Sequence, residues 1–197
     1  MDYSKMLQRL IDDNDGVIST KKVTEYGIPR IYLSEFVKRG ILKRYERGIY
    51  ISLESNGDKM YCFQMRYPQT TFSHESALFL QQYIKKMPDH PIVTVKTGTN
   101  TKNLMSNGAR VHSIRPTLYT LGEIEGKTCY GKNVRMYDIE RSICDIIRNR
   151  SRIDNDIIIS VLKKYNDSPE KDFSKLITYA EELKVAKILN NYLEFLQ

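Results

Sequence analysis

Glycines at positions 16, 27 and 40 divide the first forty residues into three short segments. In each segment the apolar residues recur every three or four positions, which predicts three short helices. The first helix covers Tyr3 to Ile11, and Ser19 or Thr20 caps the second. Pro29 fits the first turn of the third helix, which ends before Gly40. The expected buried residues are Met6, Leu7, Leu10, Ile11, Val23, Tyr26, Leu33, Phe36 and Val37.

Residues 41–51 form two short β-rich runs on either side of an Arg47-Gly48 turn. Three helices followed by a hairpin predict a winged helix-turn-helix, in which the third helix enters the major groove of DNA and the hairpin tip contacts the backbone. Tyr45 and Tyr50 alternate with their neighbours as a small sheet requires, so we expect them to pack within the hairpin.

The predicted DNA-binding residues lie in three places: the side of the third helix opposite Leu33 and Phe36, the hairpin, and the start of the second helix. Their side chains can contact base edges or phosphate, and backbone N–H groups at the start of a helix also favour phosphate. They are Arg30, Tyr32, Ser34, Glu35, Lys38, Lys43, Arg44, Arg47, Thr20, Lys21 and Lys22. A winged helix that docks only protein is the alternative.

The charge of the chain is concentrated by region. The 197 residues carry a net charge of +7, and residues 21–50 hold eight basic and three acidic residues, a net +5. A second +5 is spread over residues 61–149, where twelve basic and seven acidic residues lie. A basic surface suits nucleic acid, although solvation alone also explains Lys and Arg.

The sequence does not indicate a zinc protein, a disulfide-stabilised protein, a secreted protein or a membrane protein. Three scattered cysteines and three histidines form no zinc motif or disulfide framework, so we expect neither a metal nor a cofactor. Residues 1–16 contain no secretory signal, and no apolar run is long enough to span a membrane. The expected localisation is cytoplasmic, with no membrane partner.

The polar, turn-rich segment from Glu54 to Asp58 predicts a linker. We therefore expect a DNA-binding domain at residues 1–56 and a second domain at residues 57–197, with an overall α+β fold. In the second domain helices are expected at 59–67 and 73–86, and strands at 92–96, 111–115, 118–124 and 134–137. A helix capped by Asp138 follows, and a helical bundle closes the chain with helices near 154–165, 173–183 and 185–196.

The hypothesis of an enzyme has limited support in the sequence. A nuclease would need converging carboxylates, and Asp138, Glu140 and Asp145 form the densest acidic cluster of the second domain. Arg141 and Arg148 lie beside them, so ion pairing explains the cluster more simply. Cys144 with His74 or His112 could form a nucleophile and base, but Cys144 shares an apolar helix face. No phosphate-binding glycine motif occurs.

The order of features resembles the AbiEi family, the antitoxins of bacterial abortive-infection operons. The resemblance rests on the segment Leu42-Lys43-Arg44-Tyr45-Glu46-Arg47-Gly48-Ile49-Tyr50, on residues 72–78, and on residues 176–180. Its most specific part is the block Tyr137-Asp138-Ile139-Glu140-Arg141-Ser142-Ile143-Cys144-Asp145 with Arg148.

The resemblance implies an N-terminal winged helix that represses its own operon and a C-terminal domain that counteracts a toxin. In this family the toxin resembles a nucleotidyltransferase, its activity stops growth of phage-infected cells, and toxin and antitoxin of this type IV system need not form a stable complex. The expected DNA partner is an inverted-repeat operator bound by two copies of a monomer or weak dimer. No catalytic residue is implied.

The block around Asp138 also has a physical interpretation. If Asp138 caps the helix, Arg141 and Arg148 project from nearly one face, and Asp145 lies within pairing distance of both. We expect Asp138, Glu140, Arg141, Asp145 and Arg148 to organise the C-terminal domain. Direct contact of these residues with toxin or nucleic acid is the alternative.

Overall fold

The computed structural model describes residues 2–55 and 57–195. The chain divides into two compact units, Met1–Pro68 and Gln69–Gln197. Each unit combines helices with a β-sheet, which confirms the predicted α+β class. Among the described residues, no helix has the length and apolar character needed to span a bilayer.

The first unit contains the three predicted helices. Asp2 caps the first helix through the backbone N–H of Lys5 at 3.1 Å, and Ser19 caps the second through Lys22. Gly40 follows the third helix with φ +68°, the left-handed conformation that ends many helices. In chain order the elements are α1 (Tyr3–Asp12), β1 (Val17–Ser19), α2 (Thr20–Glu25), α3 (Ile31–Lys38), β2 (Leu42–Glu46), β3 (Ile49–Ser52) and α4 (Lys59–Arg66).

Two residues expected in the core of this unit lie on its surface. The side chain of Tyr26 is 56% exposed, because α2 ends at Glu25 and Tyr26 occupies the cap beyond the helix. Val37 is 36% exposed, because Leu33 and Phe36 alone form the buried side of the two-turn helix α3. The prediction that Tyr26 and Val37 are buried is therefore wrong.

The sheet of the first unit has the order β1-β3-β2, with both pairs antiparallel. The predicted hairpin is confirmed, and its turn lies at Arg47 and Gly48, with Gly48 at φ +80°. β1 was not predicted from the sequence, because its three residues lie between a turn and a helix cap. Ile18 packs with α1 and α3, whereas Val17 packs with Ile49 and Ile51 on the other side of the sheet.

Helix α4 belongs to the first unit. Cys62, in α4, is 1% exposed and lies in the same apolar cluster as Val17, Ile49 and Ile51. This contact places the division of the chain after Pro68, whereas the sequence predicts it between residues 56 and 57. Asn56, at the predicted boundary, lies outside the described residues.

The second unit is built on a mixed sheet of order β6-β5-β4-β8-β7. The pairs β4–β8 and β5–β6 are parallel, and β4–β5 and β7–β8 are antiparallel. The elements are β4 (Thr71–Phe72), α5 (His74–Leu80), β5 (Ile92–Lys96), α6 (Lys102–Ser106), β6 (Arg110–Ile114), α7 (Pro116–Tyr119), β7 (Glu123–Lys127), β8 (Asn133–Tyr137), α8 (Ile139–Arg148), α9 (Asn155–Asn166), α10 (Phe173–Glu182) and α11 (Ala186–Phe195).

Two predicted elements of this unit have different bounds or a different type. The predicted strand 118–124 is instead helix α7 followed by β7, because Pro116 starts a helix and Gly122 turns the chain at φ +74°. The helix predicted to reach residue 86 ends at Leu80, since Gln82 has φ +63° and the N–H of Tyr83 returns to the carbonyl of Leu78.

The core of the second unit lies where α8 packs against α5, α9 and α10. Ile143, Ile146, Ile158, Val161 and Leu176 are all fully buried there. The helices predicted near 154–165 and 173–183 are α9 and α10. The helix predicted at 185–196 is α11, and residue 196 lies outside the described residues. Helix α8 is thus the element that the surrounding helices enclose.

The contact of α4 with the sheet predicts how an isolated N-terminal unit behaves. A fragment of residues 1–68 should fold cooperatively, whereas a fragment of residues 1–58 exposes Val17, Ile49 and Ile51. Burying each aliphatic side chain contributes about 1.5–3 kcal/mol, so we expect the shorter fragment to lose at least about 3 kcal/mol in its free energy of unfolding. Urea unfolding monitored by circular dichroism measures this difference. Equal midpoints for the two fragments would contradict the assignment of α4 to this unit.

Candidate nucleic-acid interface

The outward face of α3 carries a row of exposed side chains. Leu33 and Phe36 are 1% exposed and turn toward the core. Ser34, Glu35 and Lys38 are exposed, and their spacing places them on the opposite face of the helix. The sequence assigned these three residues to the DNA groove, and the structure places them on one continuous surface.

Arg30 and Tyr32 flank this face in different ways. Arg30 is exposed at the start of α3, and its Nε donates to Thr24 Oγ1 at 3.2 Å, which ties the guanidinium to the end of α2. Tyr32 is half-buried, and its ring packs on Tyr3 with centroids 5.6 Å apart. The structure therefore brings Arg30 to the exposed face and turns Tyr32 toward α1.

The start of α2 contacts the turn of the hairpin. The backbone N–H of Thr20 donates to the carbonyl of Gly48 at 2.8 Å, and Thr20 Oγ1 donates to the same oxygen at 3.3 Å. This contact fixes the tip of the hairpin beside the start of α2. Arg47, in the turn, is exposed.

The two lysines of α2 have different environments. Lys21 is exposed and forms an ion pair with Glu25 at 3.8 Å. Lys22 is half-buried, and its ammonium donates to Asn14 Oδ1, which links α2 to the end of α1. Asn14 in turn donates to the carbonyl of Leu10. Lys22 therefore has a structural partner, whereas Lys21 remains accessible to a ligand.

The hairpin presents its basic residues outward and packs its tyrosines. Lys43 and Arg44 are exposed on β2. The hydroxyl of Tyr45 donates to the carbonyl of Gly57 at 3.1 Å, and Tyr50 packs against the apolar cluster of the helices. The prediction that both tyrosines pack within the unit is confirmed. Lys43, Arg44 and Arg47 thus supply cationic groups without an aromatic stacking surface.

In the second unit, Arg141 is the central polar residue. Its side chain is 0% exposed, and its Nε donates to Asp145 Oδ1 at 3.1 Å. Its Nη1 donates to the carbonyls of Leu118 and Leu121 at 2.8 and 2.7 Å. The guanidinium also lies 4.1 Å above the ring of Tyr137. Arg141 therefore joins α8 to α7, to the loop that follows α7 and to the end of β8.

Arg148 does not take part in this arrangement. It is exposed at the last turn of α8, whereas Asp145 is buried and paired with Arg141. Burial raises the pKa of Asp145, and the adjacent guanidinium of Arg141 opposes that shift. The prediction that Arg141 and Arg148 both pair with Asp145 is correct only for Arg141.

Asp138 and Glu140 are held by a lysine that the sequence interpretation missed. Lys175, in α10, lies 3.0 Å from a carboxylate oxygen of each. Asp138 also caps α8, as predicted, by accepting from the N–H of Arg141 at 2.8 Å. Tyr165 donates to Glu140 at 3.0 Å. Since Lys175 follows Asp138 by 37 positions, helical spacing could not indicate this ion pair.

This arrangement bears directly on the nuclease alternative. Asp138 and Glu140 both bind Lys175, and Asp145 binds Arg141. In the described part of the chain, no group of three His, Cys, Asp or Glu side chains is arranged to hold a metal ion. All three carboxylates thus form ion pairs, with Arg141 as predicted for Asp145 and with Lys175 for Asp138 and Glu140, and their geometry gives a nuclease no support.

Two stacked histidines lie beside this cluster. The rings of His74 and His112 have centroids 3.8 Å apart, and His74 is 2% exposed. The nitrogens of His74 contact Ser73 Oγ at 2.9 Å and Asn149 Nδ2 at 2.7 Å. Burial lowers the pKa of His74 to about 3 and that of His112 to about 4. Both imidazoles are therefore neutral at pH 7.

Cys144 does not have the environment of a nucleophile. Its side chain is 0% exposed, and its Sγ lies 3.9 Å from the carbonyl of Leu176. Burial raises the pKa of the Cys144 thiol, which removes the thiolate that a nucleophile requires. Cys144 is a core residue, in agreement with its apolar helix face.

The basic residues of the second unit are dispersed. Several line an open groove of about 1170 Å³, namely Lys85, Lys86, Arg110, Lys127 and Lys164. Arg110 forms an ion pair with Glu75 at 3.6 Å, and Lys86 lies 4.0 Å from Asp89. The positive charge of this groove is therefore partly neutralised by its own carboxylates.

The burial of Arg141 predicts a large effect on stability. Substitution Arg141→Met leaves Asp145 buried without its cation and the carbonyls of Leu118 and Leu121 without a donor. Removing one partner of a buried ion pair costs about 3–5 kcal/mol. Chemical denaturation should show this loss for Arg141→Met and less than about 0.5 kcal/mol for the matched exposed variant Arg148→Met. Comparable losses in the two variants would contradict the central role of Arg141.

The two histidines predict a dependence of stability on pH. Unfolded imidazoles take up protons below pH of about 6.5, whereas His74 and His112 in the folded unit stay neutral to about pH 3 and 4. The unfolded state therefore binds more protons, and the free energy of unfolding should fall as the pH drops from 7 to 5, by up to about 1.4 kcal/mol per pH unit for His74.

Urea unfolding at a series of pH values measures this slope, and His112→Gln should reduce it. The raised pKa values of Asp138 and Asp145 act in the opposite direction at pH values above the ordinary carboxyl pKa of about 3.8, because the folded carboxyls there hold protons that the unfolded carboxyls have released. The native protein and His112→Gln share this contribution, so the difference between their two slopes measures the contribution of the histidine. Equal slopes between pH 7 and pH 5 in the native protein and in His112→Gln would contradict the neutral histidine pair.

Comparison with known proteins finds a family model that matches the N-terminal part of the chain and solved structures of similar fold. Residues 5–52 match the family model described as "Transcriptional regulator, AbiEi antitoxin". The crystal structure of the RV2827C protein from Mycobacterium tuberculosis superposes with a TM-score of 0.56 at 13% identity, over 92% of this chain and 72% of that one, and shows a similar fold. No curated protein matches. The resemblance to the AbiEi family is thus confirmed for residues 5–52, the part of the chain that matches the family model.

Proposed function

We propose that the protein is an antitoxin and transcriptional autorepressor of a toxin-antitoxin operon in the cytoplasm. Its first unit acts as a winged helix-turn-helix that binds operator DNA. Its second unit counteracts a nucleotidyltransferase-like toxin, with or without a stable complex. The family of residues 5–52 supports a regulatory and antitoxin role in general, and the exposed face of α3 is the observation that supports DNA binding.

Each part of the first unit has a role in this proposal. Helix α3 enters the major groove, where Glu35 accepts from cytosine N4 and Ser34 contacts an adjacent base. Arg30 and Lys38, at the two ends of the face, donate to guanine or phosphate. The hydrogen bonds from Thr20 to Gly48 hold the hairpin turn beside α2, so Arg47 and Lys21 contact one stretch of backbone.

Two copies bind one operator in this account. A winged helix with a single recognition helix contacts a short half-site, and two half-sites arranged as an inverted repeat supply the affinity that one lacks. The inverted repeat gives the complex two-fold symmetry while the protein is a monomer or a weak dimer in solution.

The second unit supplies the antitoxin activity. Asp138, Glu140, Arg141 and Asp145 act as a scaffold, since all four residues are buried and each is held by an ion pair. Arg148 and the basic residues of the open groove are exposed, so a partner can reach them. We therefore expect substitutions at these exposed positions to weaken neutralisation of the toxin. Substitution of Arg141 should affect neutralisation only through its effect on folding.

The DNA-binding proposal predicts a specific loss of affinity. Charge reversal at Arg30, Lys38 and Arg47 together should abolish a gel shift of the promoter DNA, because like charge then faces the phosphates. If each copy neutralises roughly four phosphates, log K of the native protein should fall with log salt with a slope of about −3.6 per copy.

A matched control keeps the same change in net charge. Lys163, Lys184 and Lys187 are exposed in the second unit, and their joint reversal to Glu should leave most of the promoter affinity in place. Circular dichroism establishes that both triple variants fold. Native affinity in the Arg30, Lys38 and Arg47 variant, or equal loss in both variants, would overturn the proposal.

A further inference from the structure

The face of α3 proposed to enter the groove includes an aliphatic residue. Ile31 is 60% exposed, compared with 44% for Ile177 and 37% for Ile124. Residues 31, 34, 35 and 38 follow the i, i+3, i+4, i+7 spacing, so Ile31 shares one helical face with Ser34, Glu35 and Lys38. The face is therefore apolar at its N-terminal end, at Ile31, and polar from Ser34 to Lys38.

Packing within the unit does not explain this isoleucine. The buried side of α3 consists of Leu33 and Phe36, which point in the opposite direction from Ile31. Ile31, like Val37 and Leu53, is absent from the two apolar clusters of the first unit, and of these three residues only Ile31 lies on the face of Ser34, Glu35 and Lys38. A β-branched residue also has no advantage at an exposed helical position, since its helix propensity is below that of Ala or Leu. The side chain is thus available to a ligand.

DNA offers one aliphatic group in the major groove, the C5-methyl group of thymine, and apolar side chains recognise it. In helix-turn-helix proteins the N-terminal residues of the recognition helix reach the base edges. We propose that Ile31 is a specificity-determining residue that contacts a thymine methyl in each operator half-site. This inference rests on the proposed DNA-binding function and specifies part of the sequence that is bound.

The position of this thymine follows from helix geometry. Four residues along an α-helix span about 6 Å, and successive bases along one DNA strand are about 3.4 Å apart. With the helix axis along the groove, the base contacted by Ile31 lies about two base pairs from the base contacted by Glu35. Because Glu35 accepts from the amino group of cytosine, the half-site contains a thymine and a cytosine at this separation.

The test replaces thymine by deoxyuridine, which removes only the methyl group. Promoter duplexes carry this replacement at one symmetric pair of positions at a time, and the full-length protein is titrated by fluorescence anisotropy. Burial of one methyl group corresponds to about a fourfold change in affinity. We expect one pair of positions at which the replacement weakens binding of the native protein by about fourfold per half-site.

Two variants make the test specific to Ile31. Ile31→Ala should bind the thymine and deoxyuridine duplexes equally well at that pair of positions. Leu53→Ala, a matched substitution at a side chain that is 59% exposed in the same unit, should keep the fourfold discrimination. Thermal unfolding should give both variants the native midpoint, since neither side chain is buried.

The outcomes separate this inference from the proposed function. Native protein that binds the promoter duplex with no methyl-dependent position, or Ile31→Ala protein that keeps the discrimination, overturns the role of Ile31 and leaves DNA binding in place. Native protein that binds none of the promoter duplexes overturns the proposed function itself and the role of Ile31 with it.

Discussion

The burial of both faces of the sheet β1-β3-β2 is the constraint on which the first unit depends. β3 lies between β1 and β2, so a short three-stranded sheet must be covered on two faces. Ile18 and Leu42 lie in the cluster of α1 and α3, and Ile49 and Ile51 pack with Cys62 of α4. With its buried side fixed against this sheet, α3 must present Ser34, Glu35 and Lys38 outward. The proposed DNA-binding face is therefore a consequence of core packing.

The core of the second unit contains a buried cation, the guanidinium of Arg141. Its sheet is mixed, and α8, which follows β8 and packs among α5, α9 and α10, contains the fully buried Arg141. Such a charge is tolerated because Asp145, two backbone carbonyls and the ring of Tyr137 surround it. Gly122 is required beside it, since a Cβ there would lie 2.7 Å from the Cβ of Arg141. The acidic and basic residues of α8 thus serve folding first.

Local spacing predicts three features correctly, because neighbouring residues determine each of them. These are the helices of the first unit, the hairpin turn at Arg47 and Gly48, and the cap at Asp138. Contacts between distant segments were not predictable. Lys175 reaches Asp138 across 37 positions, and α4 joins the first unit through a contact of Cys62 with β1 and β3. Ile31 was missed for a different reason: its spacing from Ser34, Glu35 and Lys38 places it on the same helical face, but the face was assigned from polar and charged residues, and an apolar residue was not expected there.

The most direct test of this account is the amide spectrum of the full-length, ¹⁵N-labelled protein during titration with promoter DNA. DNA binding through α3 predicts chemical-shift changes at Arg30, Ile31, Glu35 and Lys38. Changes are also expected at Thr20 and Gly48, which contact each other, whereas α4 and the core of α8 should be little affected. Changes confined to α4 or to the second unit, with the amides of α3 unmoved, would contradict it.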